Sequence, residues 1–141
     1  MTAKERAQKA AAAMWGADGA SQWLGMTLDH VDEGHAILGL TVQKHHCNGH
    51  GNCHGGIIFA LADSAFAFAC NSRNQATVGQ HANISYVAPV RLGDQLTATA
   101  NETSQVGRNG IYDVRVTNQN NIAVAEMRGM SRSIKGQLFT E

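Results

Sequence analysis

The sequence predicts an α+β fold: a short N-terminal helical segment, one buried helix, and an antiparallel sheet of about five to six strands. Three observations predict it. Residues 56–71, "GIIFALADSAFAFACN", are apolar on nearly every side and too long for an ordinary strand, so they read as a central helix. After them helical patterns stop, and four strand-like runs with partial alternation follow. Turn signals separate the last three of those runs, which suits a meander.

Taken in order, residues 2–15 are rich in Ala, Lys, Glu and Gln and predict a helix ending near Gly16. Residues 19–24 add a second short turn. Together 1–24 form an N-terminal helical segment ahead of a single domain, 25–141. Met26 to Asp32 reads as a weak strand paired through Glu33-Gly34 with "HAILGLTV", 35–42. A polar loop follows, "QKHHCNGHGNCHGG", and then the apolar helix. The four later runs are "VGQHANISYVAPV", "DQLTATANETSQV", "IYDVRVTNQ" and "IAVAEMRGMSRSI". Leu96, Ala98 and Ala100 share one face, as do Tyr112, Val114 and Val116. Asn109-Gly110 and the "NQNN" at 118–121 are the expected turns, and Pro89 falls near the end of its run, where proline is tolerated.

Composition narrows the function. The chain has 141 residues, with 11 Lys plus Arg against 11 Asp plus Glu, so it lacks the basic excess of a nucleic-acid binder. No apolar run reaches membrane-spanning length. "MTAKERAQKAAAAMWG" lacks the apolar core of a signal peptide, so a cytoplasmic location is expected. Three cysteines, an odd number, do not suggest a disulfide framework.

The helix poses a chemical question. It carries one carboxylate, Asp63, among Ile57, Ile58, Phe59, Leu61, Phe66 and Phe68. A buried ionised carboxylate is costly unless paired. Such a residue is paired, protonated or used in chemistry. The competing structural reading is an aspartate capped by nearby Ser or Asn side chains.

Residues 47–72, "CNGHGNCHGGIIFALADSAFAFACNS", resemble the signature of hotdog-fold acyl-CoA thioesterases of the phenylacetic-acid-degradation type. There Asn-Gly-His, Cys-His-Gly-Gly and Leu-Ala-Asp-(Ser/Thr)-Ala-Phe-Ala recur. The resemblance extends over about 25–135 and includes "APVRLGDQLTATA" and "GIYDVRVTNQ". It implies a six-stranded antiparallel sheet wrapped around one long helix. It also implies dimers joined sheet edge to sheet edge, often paired into tetramers. Asp63 is then catalytic, the Gly55 N–H binds the thioester carbonyl, Asn48 helps place the water or the carboxylate, and His54 supports this geometry. The implied substrate is an aryl-acetyl-CoA or similar acyl-CoA, and no cofactor, metal, nucleic-acid or membrane partner is expected.

The residues suit that chemistry. Thioester hydrolysis needs an attacking oxygen and N–H donors for the carbonyl oxygen. A helix start offers free N–H groups, and neither Gly55 nor Gly56 has a side chain to block a substrate. Asp63 would supply the attack, as general base or as nucleophile. Gly55 and Asp63 are eight residues apart, roughly 12 Å along a helix axis. One thioester carbon cannot reach both, so if both act they belong to different chains. Phe59, Phe66, Phe68 and Tyr86 would line the acyl pocket or simply fill the core. Arg73, Arg91, Arg108, Arg128, Arg132 and Lys135 are available for CoA phosphates, with Arg108, in a glycine-rich turn, preferred.

Other readings fit less well. His45, His46, His50 and His54 crowd Cys47 and Cys53, but the spacing matches no standard zinc pattern. "GHGNCHGG" is not followed by Gly-Lys-Ser/Thr, which argues against a nucleotide loop. No Gly-x-Ser-x-Gly elbow exists. Cys47, Cys53 and Cys70 read as packing residues, with Cys53 a mild candidate nucleophile. A non-catalytic acyl-CoA-binding module is the alternative class. A hotdog dehydratase would pair a histidine with its carboxylate, and this helix has no histidine.

Overall fold

The computed structural model describes all residues, 1–141. Helices α1 (Ala3–Ala17) and α2 (Gly19–Leu24) come first, followed by strands β1 (Thr27–Asp32) and β2 (His35–Thr41). A single 3₁₀ turn, Lys44–His46, leads through the loop to α3 (Gly55–Cys70). Then come β3 (Thr77–Tyr86), β4 (Gln95–Val106), β5 (Asn109–Thr117) and β6 (Ala123–Ser133).

The six strands form one sheet in the order β1-β2-β4-β5-β6-β3, and every neighbouring pair is antiparallel. β4, β5 and β6 make the expected meander. α3 leaves β2 near one edge, crosses the inner face and delivers the chain to β3 at the opposite edge. The ladder register explains why it can lie there. Ala36, Ala100, Val114 and Met127 are aligned across four strands, and Leu38, Ala98, Val116 and Ala125 form the next row. All eight are buried. The alanines keep the middle of the sheet shallow, so Leu61, Ala62 and Ala65 of α3 pack down on it with no exposed surface. Leu61→Ala would leave a cavity costing about 2–5 kcal/mol.

At the N-terminus, Thr2 and Glu5 form a capping box on α1, whose Ala7, Ala10 and Ala11 are buried, and α1 packs beside β1. Asp18 caps α2 by accepting from the Ser21 N–H at 2.9 Å.

Two expectations are corrected. α3 is not covered on all sides within one protomer. The sheet covers one side only, so Gly56 and Asp63 are exposed and Phe59, Ala60, Ser64 and Ala67 are half-buried. The β4–β5 turn is Gly107-Arg108, not Asn109-Gly110. Val106 already pairs with Asn109, and Gly107 takes the left-handed conformation at φ 59°. Gly110 serves close approach instead of turning: a Cβ there would sit 2.9 Å from the Tyr112 ring and 2.5 Å from Ser131 Oγ. The "NQNN" turn is observed, with Asn121 at φ 58°.

Candidate active site

The loop before α3 is tied down from several sides. His46 is buried, and both its ring nitrogens are occupied: the Gln43 N–H donates to Nδ1 at 2.9 Å, and Nε2 bonds the Leu24 carbonyl at 2.7 Å. The His54 N–H donates to the His46 carbonyl and the Cys53 N–H to the Val90 carbonyl, each at 2.8 Å. Asn48 orders the tip, its Oδ1 accepting from the N–H groups of His50 (2.9 Å) and Asn52 (3.3 Å). The Asn48 side-chain NH₂ keeps its donors free for another partner.

His54 is the N-cap of α3. Its Nδ1 accepts from the Gly56 N–H at 2.8 Å, so the neutral ring carries its proton on Nε2. The Gly56 amide is therefore occupied. The Ile57 N–H donates to the His54 carbonyl at 2.9 Å. The Gly55 N–H has no acceptor, which leaves it the open donor at the positive end of the helix.

Both glycines have packing reasons besides substrate access. A Cβ on Gly55 would lie 3.1–3.4 Å from the Tyr86 ring, and one on Gly56 would lie 3.0 Å from His54 Nδ1. The Tyr86 hydroxyl donates to the Gly55 carbonyl at 2.9 Å. Sequence reasoning left Tyr86 either lining the pocket or filling the core. It lies 31 residues from Gly55, and only the β3 register brings the two together.

Asp63 lies two turns further along α3 and has no hydrogen-bond or ion-pair partner. Ser64, beside it, bonds Ser21 at 2.8 Å, and Asn71 bonds Thr77 and Ala67. The structural reading of Asp63 thus lacks the capping groups it requires. One side of its carboxylate faces solvent, yet the apolar helix and β3 desolvate it enough to raise its pKa above the ordinary carboxylate range. Asp63 edges a recess of about 220 Å³ with Phe66, Gly79, Gln80, His81 and Ala82. β3 bulges there against β6, between Gly79 and His81. Phe66 is a buried floor for this recess, its ring centroid 5.6 Å from that of Tyr112. Phe68 is core, packed on Trp15 at 6.1 Å.

Of the candidate cations, Arg73 forms a two-pronged pair with Glu102 at 2.9 and 2.8 Å, and Arg128 does the same with Asp113 at 2.8 and 2.9 Å. Arg108 makes no ion pair and shares a polar recess of about 560 Å³ with Lys135, Gln75 and Ser133.

A six-stranded antiparallel sheet with one long helix packed against its face, a glycine amide open at the helix start and an unpaired carboxylate in mid-helix define a hotdog-fold protein. The chain belongs to the thioesterase superfamily, whose sequence profile matches residues 50–125. It is 41% identical to the acyl-coenzyme A thioesterase PaaI of Escherichia coli (strain K12) over 136 residues, 96% of this chain and 97% of that protein. The solved structure of the E. coli PaaI protein from the phenylacetic acid degradation operon superposes with a TM-score of 0.95 at 40% identity, covering 96% of this chain and 99% of that one. A Streptococcus mutans protein bound to acetyl-CoA superposes at 0.77 with 26% identity, covering 80% and 91%.

Proposed function

We propose that this chain is an acyl-CoA thioesterase that hydrolyses phenylacetyl-CoA, hydroxyphenylacetyl-CoA or a similar acyl-CoA to the free acid and CoA. The observation that carries the reading is the pairing, on one helix, of an amide with no acceptor (Gly55) and a carboxylate with no partner (Asp63). The first meets the need for a donor to the developing oxyanion, and the second the need for an attacking oxygen at neutral pH. Their separation of roughly 12 Å calls for two chains per site. The free edge of β3, ten residues long and next to the Asp63 recess, suits pairing with a second copy. Dimers with shared sites follow from that reading; further pairing into tetramers and a cytoplasmic setting are proposed with it.

His54 positions the helix start, Gly56 borders it, and Asn48 offers its free NH₂ to the water or the carboxylate. Phe66 limits the depth of the acyl recess. Arg108, with Lys135, meets the CoA phosphates. The acyl preference rests on the kinship with PaaI. A panel of aryl-acetyl, short-chain and long-chain acyl-CoA substrates, followed with a thiol-detecting reagent, tests both parts. Thiol release fastest from the aryl-acetyl members is expected. Binding without thiol release from any member would replace the enzyme with a non-catalytic module.

A further inference from the structure

The loop before α3 contains a feature that thioester hydrolysis does not use. Cys47 and Cys53 face each other as an isolated antiparallel pair. The flanking hydrogen bonds, Asn48 N–H to the Asn52 carbonyl and His54 N–H to the His46 carbonyl, are both 2.8 Å. They make Cys47–Cys53 a non-hydrogen-bonded pair, the kind in which opposed Cα atoms lie about 4.5 Å apart and side chains project to the same side. That separation is within the range a disulfide bridges, about 4.4–6.8 Å. Both cysteines are free thiols. Each thiol makes only one weak hydrogen bond, Cys47 Sγ to the Gln43 carbonyl at 3.6 Å and Cys53 Sγ to the His54 carbonyl at 3.7 Å, and both pack at the same end of the core, Cys53 within it and Cys47 against it. The segment between them can take the constraint: Gly51 already turns the chain back at φ 78°, and the Gly51 N–H bonds the Asn48 carbonyl at 3.1 Å.

We propose that Cys47 and Cys53 are a redox modification site, closed to an intramolecular disulfide by a low-molecular-weight disulfide. Cys47 is the more exposed and reacts first. Its thiolate attacks one sulfur of the small disulfide, the S–S bond breaks, and one small thiol leaves with a proton. Cys53 then loses its proton and attacks the Cys47 sulfur of the mixed disulfide, releasing the second small thiol. Two protein thiols are oxidised and one small disulfide is reduced to two thiols. Burial pushes the Cys53 thiol up to about 11, so ring closure quickens as pH rises. The closed ring would span Asn48 and end next to His54, the cap of α3. Cys70, buried at the far end of α3, takes no part.

The test is incubation of the native protein with oxidised glutathione, read by intact mass and by proteolytic mapping without reductant. The expected product has lost the mass of two hydrogens, contains a Cys47–Cys53 link, and reverts with dithiothreitol. Cys53→Ala should stop at the glutathione adduct on Cys47, while Cys70→Ala should behave as wild type. A stable adduct on wild-type Cys47 without the link, a link to Cys70, or no reaction would each overturn the proposal. Mass and mapping do not depend on turnover, so failure here is separate from failure of the thioesterase reading.

Discussion

Tyr86, at the end of edge strand β3, holds Gly55: its hydroxyl donates to the Gly55 carbonyl at 2.9 Å, while the N–H of the same glycine has no acceptor. One peptide end is thus fixed and the other left open. Tyr86→Phe removes a hydrogen bond worth about 0.5–1.5 kcal/mol. If Gly55 is the oxyanion donor, kcat/KM should fall by about 2- to 13-fold, the whole of that energy lost from the transition state. Steady-state kinetics of the variant measures it. An unchanged kcat/KM would detach Tyr86 from the chemistry.

Asp63→Asn keeps the size of the side chain and removes its charge. Turnover should fall at least about 10²-fold. Stability should move the other way. Because burial raises the pKa of Asp63 in the folded state, the folded chain binds more protons than the unfolded one between the two values, and stability falls as pH rises through that window. The asparagine variant should therefore melt no lower than wild type at neutral pH, with a flatter Tm against pH from about 4 upward. In wild type, activity should rise with pH through an apparent pKa above that of an ordinary carboxylate. Calorimetry across pH, beside the kinetics, checks both halves.

How much of this was legible in the sequence depended on whether the signal was local. α3 was readable because its apolar run is long, and β4 to β6 because Leu96-Ala98-Ala100 and Tyr112-Val114-Val116 alternate. The motif pointed to Gly55 and Asp63 as residues. It could not reveal that the Gly56 amide is occupied by His54, because that depends on the ring's orientation. Tyr86 was out of reach because its role depends on a register 31 residues away. The β4–β5 turn was misplaced because Asn109-Gly110 imitates a hairpin signal, while the glycine there makes room for Ser131 and Tyr112.

His54→Ala removes the α3 cap and should cost about 1 kcal/mol of stability, while His54→Asn, which can cap the same amide, should recover most of it. Chemical denaturation distinguishes the two. Equal losses in both would mean that the ring contributes by packing and not through Nδ1.

Ser131 Oγ is buried with no hydrogen-bond partner. Ser131→Ala deletes a desolvated hydroxyl that has no partner, so stability should stay level or rise by about 1 kcal/mol. A clear loss in the denaturation midpoint would reveal a partner for the hydroxyl, such as a bound water.

The two-chain site makes the strongest demand. Gly55→Pro deletes the open N–H without breaking an internal hydrogen bond, since that amide has no acceptor. Proline is tolerated in the first helical turn, and His54, at φ −60° and ψ 133°, already has the extended conformation preferred before it. The added Cβ presses on the half-exposed Tyr86 ring, so Gly55→Ala, with the same Cβ and the N–H retained, is the control for crowding. Gly55→Pro and Asp63→Asn homodimers should each be nearly inactive. Co-refolded in equal amounts with distinguishable tags, they should recover about a quarter of wild-type activity: about half of randomly paired twofold dimers are mixed, and each mixed dimer has one site free of both defects. If one chain supplied both groups, every site would keep a defect and mixing would restore nothing. Mixed dimers confirmed by their tags but without recovered turnover would therefore refute the shared site, and with it the assignment of Gly55 and Asp63 to a single thioester.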